Sequence, residues 1–165
     1  MTDLVYETYL AAVGYFGDRA KQIHHFTKVL QFAEIIGKGE NLSARDFETL
    51  QIAAILHDIG IPESERKYGS SSGKYQEIEG VPVARDILVK LGADEERIES
   101  VCLMISLHHS YSEIKENLLL RILVEADMIV NFYDGCAPRD RIEAFAATHL
   151  KTATGKKLYK DLFAV

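Results

Sequence analysis

The sequence predicts an all-α protein folded as one compact helical bundle spanning residues 1–165. Three observations carry that expectation. Apolar residues recur at the helical period of about 3.6 residues along most of the chain, and alternating Val/Ile/Thr runs bounded by turns are absent. Only three prolines occur, and neither a low-complexity linker nor an internal repeat divides the chain. A hydrophobic content of 47% in 165 residues is enough for one sizeable core.

The elements follow in order. Residues 2–16 form a first helical pattern, and Asp18 is placed to cap a second that runs to about Ile36, where Gly37 and Gly39 are expected to stop it. Ser43 followed by Asp46 resembles a capping box and opens a third helix that ends at Gly60, with Pro62 behind it. Gly69, Ser70, Ser71, Ser72 and Gly73 lie among charged residues, which predicts a loop over 62–76. Pro82 suits the first turn of a helix closed by Gly92, and Asp94 caps another from Glu95 to about His108. A further helix covers 116–133, ended by Asp134 and Gly135, and a last one starts near Pro138 and reaches about Leu150. Residues 151–165 give no decisive pattern.

Composition narrows the function. No stretch is long and apolar enough to cross a membrane, and the opening Met1-Thr2-Asp3-Leu4-Val5 lacks the basic then apolar layout of a signal peptide, so a cytoplasmic protein is expected. Cys102 and Cys136 are far apart, which indicates neither a disulfide framework nor a thiolate zinc site; both are expected to be small buried hydrophobes. A net charge of −6 disfavours a protein that grips long nucleic acid, because phosphate neutralisation needs a concentrated basic face. A small anionic substrate held by a few local cations is compatible with it.

The pair His57-Asp58 stands at the end of the apolar run Leu50-Gln51-Ile52-Ala53-Ala54-Ile55-Leu56. An imidazole and a carboxylate at a buried helix end are costly to desolvate unless something neutralises them, and a divalent metal ion does so. Other helices must then supply more ligands. Four, seven, eight and eleven residues after His25 come Val29, Phe32, Ala33 and Ile36, so His25 lies on a core-facing stripe while His24 shares its side with Lys28 and Gln31. Asp127 likewise falls on a face with Leu120, Leu123, Val124 and Val130, where an ionised carboxylate calls for a cation.

His25, His57-Asp58 and Asp127, in that order on helices, resemble the HD-domain superfamily of metal-dependent phosphohydrolases; the resemblance covers about residues 18–133. It implies a bundle of HD type in which His25, His57, Asp58 and Asp127 hold a divalent ion, and ligand type leaves Mn, Fe, Co, Ni, Zn and Mg all open. It implies hydrolysis of a nucleotide or another small phosphate ester, with His108 or His109 near the site beside the catalytic Asp58. Arg66, Lys67 and Lys74 are the expected cations for the substrate phosphate, with Gln76 and Glu79 as further substrate contacts. Relatives commonly carry a histidine where Gln76 stands and a lysine where Ile61 stands. With Gln76 there, one tightly held metal is expected, and Glu77 or Glu79 is the candidate substitute ligand for a second. His149, behind Ile142, Phe145 and Ala146, is expected to be a structural helix-end histidine with no part in the site. A diiron oxygenase and a regulatory nucleotide-binding module are the alternatives: Gln76 weighs against the first, the intact ligand set against the second. Exposed helical faces leave room for a homodimer.

Overall fold

Short polar side chains start most of the helices. In the computed structural model, which describes residues 1–164, Ser43, Asp94, Asn117 and Thr152 each accept a hydrogen bond from the backbone N–H three residues on, which satisfies one otherwise unpaired helix-start donor. The helices are α1 (Asp3–Phe16), α2 (Ala20–Gly39), α3 (Ala44–Leu56), α4 (Ile61–Tyr68), α5 (Gly73–Lys90), α6 (Glu95–Leu107), α7 (Leu118–Asp134), α8 (Arg139–His149) and α9 (Ala153–Phe163), with a single 3-10 turn at Tyr111–Glu113. No strand occurs among the described residues, and none of their helices is long and apolar enough to cross a membrane.

Helix α3 is the axis of the bundle. Ile52, Ala53, Ala54, Ile55 and Leu56 are all fully buried, so this helix is covered on every side, as its unbroken apolar run requires. It packs against α2, α6, α7 and α1, while α5 lies on α6 and α4. The consequence for chemistry is positional: the residues just past the end of α3 emerge at the centre of the molecule.

Several boundaries differ from the sequence reading: α3 ends at Leu56 and not at Gly60, and α2 starts behind Arg19 with no side-chain cap from Asp18. The stretch 62–76 is not one loop. Pro62 sits in the first turn of α4, where its missing N–H costs nothing, and Gly69 at φ 64 closes that helix in the left-handed region. Helix α5 then begins at Gly73 and runs through Pro82, instead of starting there. An interior proline costs about 3 kcal/mol, and packing of α5 against α6 and α4, with Ala84 and Leu88 fully buried, opposes that cost. Gly60 permits the contact, since a Cβ there would overlap the Gln76 carbonyl oxygen and the Gly80 backbone.

Gly37 does not stop α2, which continues past Ile36 and ends at Gly39. Both glycines are contact points, where Leu50 and Leu42 close on Gly37 and Thr154 closes on Gly39. Residues 153–163 form α9, anchored by two acids distant in sequence. The buried Glu125 carboxylate accepts the Lys151 and Thr152 N–H groups at 2.8 and 3.1 Å, and Glu40 accepts the Thr154 N–H at 2.8 Å. Cys102 is buried as expected, but Cys136 is exposed, carried by the turn after α7.

Candidate metal centre

The bundle brings six polar side chains from four elements to one place. His25 comes from the middle of α2, Asp127 from α7, His57 and Asp58 from the end of α3, and His108 and His109 from the end of α6. His25 Nε2 lies 3.2 Å from His57 Nε2 and 3.0 Å from Asp127 Oδ1. Asp58 Oδ2 is 3.5 Å from each of the same two histidine nitrogens, and Asp127 Oδ1 is 3.6 Å from His57 Nε2. The other Asp58 oxygen, Oδ1, is 3.6 Å from His108 Nε2.

Hydrogen bonds behind the cluster decide which atoms face inward. His57 Nδ1–H donates to the Ala54 carbonyl at 2.9 Å, and His108 Nδ1–H donates to the Ile105 carbonyl at 2.8 Å. Each bond satisfies a helix-end carbonyl and fixes the tautomer, which leaves the Nε2 lone pair pointing into the cluster. Asn131 Nδ2 donates to Asp127 Oδ1 at 2.9 Å and steadies that carboxylate. Gln76 spans the Ser71 carbonyl at 2.6 Å and His109 Nε2 at 3.1 Å, so its oxygen accepts from His109.

Histidines and carboxylates of the cluster shift one another's protonation. Burial alone would depress His57, yet Asp58 and Asp127 push it up to about 9. Burial would raise Asp58, but His57 and His108 hold it down to about 2. Asp127 behaves alike: against its burial, His25 and His57 hold it well below the usual carboxylate range. His109 goes the other way, to about 4, through burial and the neighbouring His108, and is therefore neutral, with its Nε2 engaged by Gln76.

The donor set fits a divalent ion. Ligands held about 2.0–2.2 Å from one ion sit about 3.0–3.5 Å from each other, which is close to the spacing of the nitrogens and oxygens of His25, His57, Asp58 and Asp127. His108 Nε2 is buried with no hydrogen-bond partner among the described residues, the state of a ligand atom awaiting its ion. His25, His57 and Asp58 form one group whose ligand atoms lie within 4.8 Å of one another, and Asp58, His108 and His109 form another.

One side is open. A cavity of about 320 Å³ reaches His25 and Asp58 and is also lined by Lys21, Gln22, Glu65, Ser71, Asn131 and Asp134. The expected phosphate cations are not among them. Arg66 is paired with Glu63 at 2.6 Å, and Lys67 is paired with the buried Glu79, which also accepts from Tyr68 at 2.8 Å. Lys67 and Glu79 line a separate hollow beside Tyr15. Helix α4 places the Lys67 side chain against Glu79 of α5, and Arg66 turns back on Glu63 of its own helix. Lys74 is exposed and absent from the cavity wall, Gln76 serves His109, and Glu77 accepts the His109 N–H at 2.9 Å. Neither Glu77 nor Glu79 belongs to the groups that could hold a metal.

Periodicity places the other cavity residues on the same helix faces. Lys21 and Gln22 precede His25 by one turn on its own face, and Asn131 and Asp134 follow Asp127 by one and two turns. His24 is exposed beside the half-buried His25, and His149 packs against the rings of Tyr111 and Phe145, each 5.1 Å away.

A model of the HD domain family matches residues 23–132, well over half of the chain. The chain belongs to that family, the HD-domain superfamily of metal-dependent phosphohydrolases, whose members bind divalent metals. No curated protein and no solved structure gives a significant match.

Proposed function

We propose that the protein is a metal-dependent phosphohydrolase acting on a nucleotide or another small phosphate ester. The observation that carries this reading is that the ligand atoms of Asp58 and Asp127 each lie 3.0–3.6 Å from the Nε2 atoms of His25 and His57, which are themselves 3.2 Å apart, with His25 and Asp58 reaching the wall of an open cavity. A divalent ion bound there supplies a Lewis acid for the phosphoryl oxygen and lowers the pKa of a water. The chain's own residues do the remaining work. Ala54 and Ile105 carbonyls keep His57 and His108 in the tautomer that offers Nε2 inward, and Asn131 keeps Asp127 aimed. Lys21, at the cavity wall, offsets charge on the substrate phosphate. His108 and His109, beside Asp58, are placed to hold a phosphoryl oxygen or a second ion.

The partner on this reading is a small phosphorylated molecule and not long nucleic acid, consistent with the net charge of −6. The second ligand group, Asp58 with His108 and His109, is the one observation that favours the diiron oxygenase as a second reading. Metal analysis of the purified protein, with a phosphatase screen over nucleotides and sugar phosphates under several divalent ions, tests the proposal. Metal-stimulated phosphate release that is lost in Asp58→Ala supports it; oxygen uptake without phosphate release overturns it.

A further inference from the structure

A second hollow adjoins the catalytic cavity. It measures about 360 Å³, lies between α2, α7 and α9, and is walled by Phe32, Ile129, Val130, Tyr133, Leu162 and Phe163. Asp134 lines both hollows, and so the boundary between them is the Asp134 carboxylate and the Lys28 ammonium that binds both its oxygens at 2.7 and 2.6 Å. Phe32 stands two turns beyond His25 on α2, and Asp134 two turns beyond Asp127 on α7. At 1.5 Å per residue each separation is about 10 Å, the reach of a small organic group attached to a phosphate.

The charges of the catalytic cavity limit what that group can be. Among the described residues its wall carries three acids, Asp58, Glu65 and Asp134, and one cation, Lys21. Two nearby cations are already taken: Arg19 pairs with Glu65 at 2.6 Å and Lys28 with Asp134. One phosphate at the metal ligands is accommodated. A chain of two or three would find no cation beyond Lys21 unless it broke the Arg19–Glu65 or Lys28–Asp134 pair. Past that acidic sill the surface turns apolar, and Tyr133, 76% exposed at the rim, can lay its ring against a flat group.

Resting on the phosphohydrolase reading, the geometry points to a substrate that carries a single phosphate on a flat, apolar group about 10 Å long, with that group lodged in the hollow between α2, α7 and α9. Phe32, Val130 and Tyr133 then set specificity, and polyphosphates and simple sugar phosphates are poor substrates. A protein partner fits less well, because a stable interface needs about 800 Å² on each side and this apolar surface is confined to one small hollow.

The test measures binding to the full-length, manganese-loaded protein by calorimetry with two non-hydrolysable probes, 4-biphenylmethylphosphonate and methylphosphonate. The biphenyl compound is expected to bind at least tenfold more tightly. Phe32→Ala and Tyr133→Ala should each remove most of that advantage and leave methylphosphonate binding unchanged. Equal affinity of the two probes in the parent, or an advantage that survives both substitutions, overturns the inference. So does a dimer by light scattering that Tyr133→Ala separates, because the hollow is then covered by a second copy. Release of phosphate from phenyl phosphate is scored on the same preparations. Probe preference without hydrolysis of any ester leaves the subsite standing and overturns the hydrolase; hydrolysis without probe preference does the reverse.

Discussion

His57 and His108 are held by the same device on different helices. Each follows the last residue of its helix, α3 or α6, each donates Nδ1–H to the carbonyl three residues back, and their rings meet edge-on at 5.4 Å with an interplanar angle of 89°. A helix end has spare carbonyls, and here two of them orient two imidazoles toward the same carboxylate, Asp58. The fold thus prepares the inward nitrogens before any ion arrives, so ligand loss and loss of a supporting hydrogen bond should have different sizes.

Asp58 touches both sides of the cluster, so Asp58→Ala is expected to abolish stoichiometric metal binding and activity while the circular dichroism of the helices is kept. Asn131→Ala removes only the hydrogen bond to Asp127 and should weaken metal binding by about 10- to 100-fold, the usual cost of losing a supporting contact. Metal titrations of both variants check this; stoichiometric metal in Asp58→Ala would show the ligand assignment to be wrong.

The neighbours His24 and His25 should separate cleanly. His25 faces His57 and Asp127, whereas His24 is exposed. His25→Ala should eliminate tight metal binding, and His24→Ala should change it by no more than a small factor. Equal losses, measured as metal per chain after dialysis, would contradict the helix phase.

Cation substitutions distinguish the cavity from its surroundings. Lys21→Ala should lower kcat/KM by about 10- to 100-fold, the equivalent of one charge-assisted hydrogen bond worth about 1.5–3 kcal/mol. Arg66→Ala, Lys67→Ala and Lys74→Ala should leave kcat/KM near the parent value, since the first two are spent on Glu63 and Glu79 and none lines the cavity. Steady-state kinetics with metal in excess decides between the two sets.

How much of this was legible in the sequence follows from whether each signal was local. The caps at Ser43 and Asp94 act within one turn, and the helical phase of His25 and Asp127 is a property of one segment, so all four could be read directly. The extent of α5 could not. It depends on Gly60 letting Gln76 and Gly80 come close, a contact between two elements that no local pattern announces. The same holds for α9, whose start is fixed by Glu125 and Glu40 from distant helices. Over residues 62–76 a loop reading places Arg66 and Lys67 near the site, whereas α4 pairs them with Glu63 and Glu79, and Lys21, one turn before His25, lines the cavity.

Stability of the metal-free protein should depend on pH in a defined way. His57 is raised from 6.5 to about 9 on folding, so the stability it contributes is fully present below about pH 6.5 and is lost as the pH rises through about 9. Asp58 is lowered from 3.8 to about 2, so its contribution is present above about pH 4 and is lost as the pH falls through about 2. The chelated protein should therefore melt highest between about pH 4 and 6.5, with Tm falling toward pH 9. Bound metal competes with the same proton, and the alkaline fall should shrink when manganese is added. A chelated protein whose Tm is flat from pH 6.5 to 9 would show that His57 does not hold the proton.

Metal number turns on Asp58 and Gln76. Asp58 offers Oδ2 to His25 and His57 and Oδ1 to His108, so a second ion would share this carboxylate and have only His108 and His109 of its own. His109 is already engaged through Nε2 with Gln76, whose amide is fixed by the Ser71 carbonyl. An ion between His25 and His57 would also have Asp127 within reach, steadied by Asn131. One tightly held ion is therefore expected in the free protein, with a second bound weakly or only when a substrate phosphate bridges it. Gln76→His should strengthen that second site, because it replaces an amide with an imidazole at the position where relatives commonly carry a histidine. Anomalous diffraction at the metal edge, on ligand-free crystals of the parent and of Gln76→His, measures both occupancies. A single full peak in the parent and a stronger second peak in the variant are the expected results; two full peaks within about 4 Å in the parent would establish a dinuclear centre and bring the oxygenase reading level with the hydrolase.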